Sequence, residues 1–174
     1  EARQDVQRLR AQSAAILSTS ATVLADDPSL TVRWDELDAE TQRLYPRENL
    51  RQPLRILLDS QNRITPQHRV VQQPGATWLA RLQADEQAWP QEVEQFICPA
   101  HGGGIDLVVM MMLLAKRQVN SIWVEAGATL AGALLQAGLV DELILYIAPK
   151  LLGDNGRGLC HLPGLERLAD APEF

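Results

Sequence analysis

Residues 121–153, SIWVEAGATLAGALLQAGLVDELILYIAPKLLG, limit the possible folds more than any other stretch of the chain. The order is an apolar strand over 122–124, a glycine turn, an amphipathic helix and a second apolar strand over 143–148. In the helix, Leu130, Ala133, Leu134 and Ala137 recur at i, i+3, i+4 and i+7, and Gly138 ends it. Strand, helix, strand in this order predicts a parallel βαβ unit with a right-handed crossover. Glu125 then falls at the carboxyl end of the first strand, where open α/β sheets bind small ligands. Gly127 opens the helix, and an uncapped helix N-terminus suits a phosphate through its free N–H groups and dipole. The stretch therefore proposes a phosphate or nucleotide site beside a carboxylate. A purely structural turn glycine is the alternative.

The rest of the chain repeats the alternation. A helix is expected over 5–12 and buried strands over 14–17, 54–58 and 77–80, with a short strand over 94–98. Asp106 is placed to cap a helix over 107–117. Residues 34–46 are acidic and weakly periodic, and read as a surface excursion with a short helix. Residues 101–104, His-Gly-Gly-Gly, read as a flexible joint. Asp27 precedes Pro28 and is expected extended or in a turn. The sum is an α/β protein of one domain over 1–174. A formal charge of −6 argues against general nucleic-acid binding, and two cysteines form no disulfide framework. No apolar run is long enough to span a bilayer and no secretory leader is visible, so a reduced, cytoplasmic protein is expected.

Beside the helix entry at Gly127, two segments carry candidate chemistry. Residues 22–33, TVLADDPSLTVR, join a hydroxyl, two carboxylates, a proline turn and an arginine. Asp26 or Asp27 could hold a ribose or amide and Arg33 a phosphate or carboxylate. The alternative is a loop whose aspartates cap turns and whose arginine is solvated. Ser60, with Asn62 and Arg63, lies after the 54–58 strand, where a 2′-phosphorylated cofactor needs hydroxyl or cationic partners; Asp59 fits this only if its side chain points elsewhere. Gly132 would let the helix approach the sheet or a ligand. Neither a dinucleotide fingerprint nor a P-loop is present. His101-Gly-Gly-Gly resembles a lipase oxyanion loop but has no nucleophile elbow to serve. Cys98 with His101, and Cys160 with His161, match no zinc pattern, so no metal is expected. The Met110-Met111-Met112 run reads as helix core.

Two separated segments, AILSTSATVLADDPSLTVR over 15–33 and VEAGATLAGALLQAGLVDELILYIAPKLLG over 124–153, resemble one family. This is the reductase domain of the bifunctional riboflavin-biosynthesis proteins, the RibD family, most nearly in its enterobacterial form. DVQRLRAQS before the first segment and LRILLDSQNR between the two fit the same order. The resemblance implies a dihydrofolate-reductase-like three-layer α/β/α domain with a mostly parallel central sheet. It implies NADPH-dependent reduction of 5-amino-6-(5-phosphoribosylamino)uracil to its ribitylamino counterpart. By match to the family's motifs, Thr22, Asp26 and Ser60 are cofactor contacts. So is the helix entry Gly127, Ala128, Thr129, Leu130, Ala131, Gly132 and Ala133. Arg10, Leu30, Arg33 and Glu125 are substrate contacts, with Asp26 and Glu125 as the catalytic pair. The arginines would meet the ribose phosphate, Glu125 would anchor the substrate, and Asp26 would help place it against the nicotinamide. Ala126 departs from the family, which has a glycine there. The resemblance also implies a homodimer. Against the family pattern, 1–174 is expected to lack the first strand, the closing strands and the zinc-deaminase half. Another NADPH reductase of the same fold, or a non-catalytic nucleotide-binding or oligomerisation module, are the alternative functions.

Overall fold

The computed structural model describes residues 2–151, 153, 156 and 158–171. The chain divides into two compact units, 1–125 and 126–174. The first is built on five parallel strands: β1 (Ala15–Thr19), β2 (Leu54–Leu58), β3 (Thr77–Arg81), β4 (Val93–Ile97) and β7 (Ile122–Val124). Their order across the sheet is β4-β3-β2-β1-β7. A parallel strand covered on both faces is largely apolar, and β1 and β2 have that composition apart from Ser18, Thr19 and Arg55. Ala15, Ile16, Leu17, Ile56 and Leu57 are fully buried. Helices α1 (Ala2–Gln12), α2 (Ser20–Asp26), α3 (Ala39–Leu44), α4 (Arg69–Gln72) and α5 (Leu107–Lys116) flank or connect these strands. The core joins Ile16, Val23, Leu30, Leu57, Ile64, Val70 and Leu79, with Trp89 and Trp123 packed against it.

Several expectations change in detail. Part of residues 18–27 is helical: Thr19 caps α2, its Oγ1 accepting from the Thr22 N–H at 3.2 Å. Asp27 follows as a left-handed cap, φ +39. Residues 34–46 are more than a surface excursion, because Leu37 packs with Ala11 and Val32 in a second small cluster. The glycine run is no joint. Ala100–His101 (β5) and Gly104–Ile105 (β6) pair as an antiparallel hairpin. Gly102 and Gly103 form its tip at φ +58 and +82, the left-handed geometry that tight hairpin turns require. Asp106 caps α5 as expected, accepting from the Val109 N–H at 2.9 Å. Cys98 lies buried after β4, and burial pushes its thiol up to about 11, so it behaves as a small apolar side chain.

The second unit contains α6 (Ala128–Gln136), as its periodicity predicts. The strand expected over 143–148 is not formed: these residues join no ladder, and Ile147 is 88% exposed. A strand exists only through its partner's backbone, and apolar composition alone supplies none. Among the described residues no helix is long and apolar enough to cross a membrane.

Candidate active site

The strand order marks where a ligand binds. From β1 the chain moves outward through β2, β3 and β4, then returns to lay β7 on the other side of β1. The carboxyl ends of β1 and β7 therefore flank a topological switch point, the crevice in which open parallel sheets bind ligands. Glu125 sits there, its backbone N–H bonded to Leu17 O at 2.9 Å and its carbonyl accepting from Ser18 Oγ at 2.7 Å.

The Glu125 carboxylate is held by three N–H groups. Arg10 donates through Nε to Oε1 at 2.6 Å and through Nη2 to Oε2 at 2.7 Å. Trp123 Nε1 adds a third bond to Oε1 at 2.8 Å. The two side chains of the pair are only 12% and 22% exposed. Arg10 Nη1 also donates to Thr31 O at 2.8 Å, which ties the pair to the chain between Leu30 and Arg33. A carboxylate offers about four acceptor positions and a guanidinium five N–H groups. The pair thus keeps a lone pair on Oε2 and two N–H groups of Arg10 for a ligand. Trp123 escaped the sequence reading, although i and i+2 on a strand share a face and would have pointed to it.

Arg10 bonds both Glu125 and Thr31, and Thr31 lies in the chain between two further candidate substrate residues, Leu30 and Arg33. Leu30 contributes backbone only: its side chain is 3% exposed and belongs to the core. Its φ of +48 follows Asp27 at +39, so two non-glycine residues within four are left-handed. Such strain clusters at ligand-binding segments. Arg33 is 59% exposed and, among the described residues, ion-paired with Glu36 alone, at 3.1 Å. The Asp26 carboxylate is exposed and meets no hydrogen-bonding or ion-pair partner among the described residues, whereas Asp27 accepts from the Arg69 N–H at 2.8 Å. Thr22 is half-buried, its hydroxyl 3.2 Å from that of Thr19.

At the end of β2, Asp59 does point elsewhere. It is fully buried and accepts from Arg63 N at 2.8 Å and Ile64 N at 3.1 Å, and from Arg81 Nη2 at 2.8 Å. Arg81 is itself fully buried; its Nε also donates to Asp59, at 3.2 Å, and its other N–H groups go to Ile64 O, Asp85 and Gln95. This withdraws the one carboxylate that would repel a 2′-phosphate and fixes the turn carrying half-buried Ser60. Arg63 Nη2 donates to Ser20 Oγ at 2.9 Å, and among the described residues Arg63 has no acidic partner. The residues around Ser60 thus fit a phosphorylated ribose.

In the second unit, Gly127 is the N-cap of α6 with no side-chain cap. The backbone N–H groups of Ala128, Thr129 and Leu130, at the first turn, are donors suited to an anion. Gly132 serves a different neighbour from the one expected. A Cβ there would overlap the backbone of His161, whose N–H bonds to Ala128 O at 2.9 Å. Its missing side chain lets the 160–163 segment cross the helix.

The chain is similar along its whole length to known proteins. The family model for the RibD C-terminal domain matches residues 1–172. Riboflavin biosynthesis protein RibD of Escherichia coli is 71% identical over 174 residues, covering 100% of this chain and 47% of that protein. A Buchnera aphidicola protein named 5-amino-6-(5-phosphoribosylamino)uracil reductase is 40% identical, with 100% of this chain and 84% of that protein covered. The solved structure of Acinetobacter baumannii RibD superposes with a TM-score of 0.74 at 32% identity, covering 99% of this chain and 45% of that one. The chain spans about half the length of the first relatives it matches. The parallel sheet with flanking helices is accordingly of the dihydrofolate-reductase-like kind. On the extent of the family match and these identities, the chain belongs to the RibD C-terminal domain family.

Proposed function

We propose that this chain is an NADPH-dependent reductase that converts 5-amino-6-(5-phosphoribosylamino)uracil to 5-amino-6-(5-phosphoribitylamino)uracil, a step of riboflavin biosynthesis. The observation that carries the reading is the relative bearing that activity's name, because this chain spans 84% of it. The chemistry of the switch point supports it. Arg10 and Glu125 offer both donors and an acceptor, which suits the amino and carbonyl groups of an aminopyrimidine. Arg33, exposed and weakly paired, suits the ribose phosphate.

NADPH, when bound, would supply the hydride to C1′ of the ribose in its open-chain carbonyl or imine form, and a proton taken from solvent would complete the reduction. The chain's own residues orient and stabilise. Ser60, with Asp59 turned into the core, would hold the phosphorylated ribose of the cofactor, and Thr22 is a further contact. In the second unit, taken by itself, the free N–H groups of Ala128, Thr129 and Leu130 at the start of α6 are suited to an anion such as a cofactor phosphate. Glu125 anchors the substrate against turning, and Asp26, the unpartnered carboxylate, helps align substrate and nicotinamide. A homodimer and a fused deaminase half in the parent protein belong to the same proposal.

The test is NADPH oxidation followed by absorbance with the deaminated pyrimidine as substrate. Substrate-dependent oxidation, with thermal stabilisation by NADPH exceeding that by NADH, is the expected result. A chain that neither cofactor stabilises is a non-catalytic module. A chain that NADPH stabilises but this substrate does not oxidise is a reductase for another carbonyl compound.

A further inference from the structure

Residues 29–33 form neither helix nor ladder, yet three side chains from outside the segment satisfy the backbone of 31–33. Arg10 Nη1 donates to Thr31 O at 2.8 Å. Gln52 grips Val32 on both sides, its Oε1 accepting from the Val32 N–H at 2.8 Å and its Nε2 donating to Val32 O at 3.0 Å. Gln7 Oε1 accepts from the Arg33 N–H at 2.8 Å. A primary amide that both donates to and accepts from one residue does what a neighbouring strand would do, without continuing a sheet. Gln7 is 1% exposed and Val32 5%, so these bonds are at least partly shielded from water, where an unpaired N–H or carbonyl is costly. The side chain that leaves this braced backbone is the exposed guanidinium of Arg33.

We infer that Gln52 and Gln7 are positioning residues that fix where Arg33 holds the substrate's phosphate. The inference rests on the reductase reading. Arginine loses binding energy when its backbone must be ordered at the moment of binding, and pre-ordering by the two glutamines removes that cost. A merely structural role would instead affect every substrate alike.

The test compares the wild-type chain with Gln52→Ala and Gln52→Glu, using the phosphorylated substrate and its 5′-dephosphorylated counterpart. Gln52→Ala is expected to raise KM for the phosphorylated substrate roughly ten-fold, an effect of two lost backbone bonds. Its kcat and its KM for NADPH should stay within about two-fold, and kcat/KM for the dephosphorylated compound should barely move. Gln52→Glu, which keeps the acceptor for Val32 N–H and loses the donor, should lie between the two and tests the idea if the alanine variant does not fold. In an Arg33→Ala background, the Gln52 substitutions should add nothing further. Equal losses on both compounds, or full additivity with Arg33→Ala, would overturn the positioning role. A wild-type chain with no substrate-dependent NADPH oxidation overturns the reductase reading itself.

Discussion

The Arg10–Glu125 pair allows a prediction with a worked magnitude. Three N–H groups reach one carboxylate at 2.6 to 2.8 Å, and the paired side chains are 12% and 22% exposed. Exposed ion pairs contribute about 0–1 kcal/mol. Breaking a fully buried pair costs about 3–5 kcal/mol, because the remaining charge is stranded. Exposure this low places the pair between those limits, so Arg10→Met or Glu125→Gln alone should cost about 2 kcal/mol of stability. For a chain of this length that lowers Tm by about 4–8 °C. The double variant strands no charge, so it should cost well under the sum, leaving a coupling of about 1.5–2 kcal/mol. Urea unfolding of the four proteins measures this directly. The same proteins assayed for NADPH oxidation should lose about 100-fold in kcat/KM with Glu125→Gln, since the substrate loses its anchor as well. Additive stabilities would mean that the pair does not act as a unit. A destabilised Glu125→Gln with unchanged kcat/KM would remove Glu125 from the site and leave it a structural ion pair.

Two further outcomes are expected. Asp26 is exposed and unpartnered, so Asp26→Asn should leave stability within about 0.5 kcal/mol and NADPH affinity, by fluorescence titration, within about two-fold. Turnover should fall by an order of magnitude or more, and unchanged turnover would rule out the aligning role. Asp85 carries a pH signature. Burial alone would raise its carboxyl, but hydrogen bonds from Trp89, Gln87 and Arg81 outweigh that and hold it at about 2. Because the folded value lies below the ordinary value of about 3.9, the stabilisation is complete above about pH 4 and is lost as pH falls toward 2. The gap in urea midpoint between wild type and Asp85→Asn should therefore narrow over that interval, and a gap constant with pH would contradict the assignment.

The central strands were legible because a parallel strand buried on both faces is mostly apolar, and that pattern is local; the fully buried Arg55 and Arg81 are exceptions whose hydrogen-bond partners lie elsewhere in the chain. β1, β2, β3 and β7 lie within two residues of the apolar runs that predict them, and β4 lies one residue before the short strand expected over 94–98. The helix after β1 was legible in principle, since Thr19 is an N-cap residue type, but the small polar residues around it masked the signal. The glycine run at 102–104 could not be told from a joint, because pairing between Ala100 and Ile105 is what makes it a hairpin. Residues 143–148 failed for the reverse reason: their composition favours a strand, but composition names no partner.

The candidate site shows the same division at the level of charge. Arg10 and Glu125 were each assigned to the substrate from separate motifs, 115 positions apart, and nothing in either motif says that they meet. Their pairing changes what each can do. A guanidinium already neutralised by a bidentate carboxylate attracts a phosphate dianion poorly, and the adjacent Glu125 charge repels it. Arg33 carries no such burden: its bond to Glu36 is between two well-exposed side chains and is weak enough to exchange for a phosphate. The electrostatics thus divide the work that the motifs left joined. In the proposed function, phosphate recognition is therefore assigned to Arg33, whose backbone N–H is bonded by Gln7 and whose neighbour Val32 is held by Gln52. The Arg10–Glu125 pair, net neutral and still able to donate and accept, is suited to the uncharged polar edge of the pyrimidine.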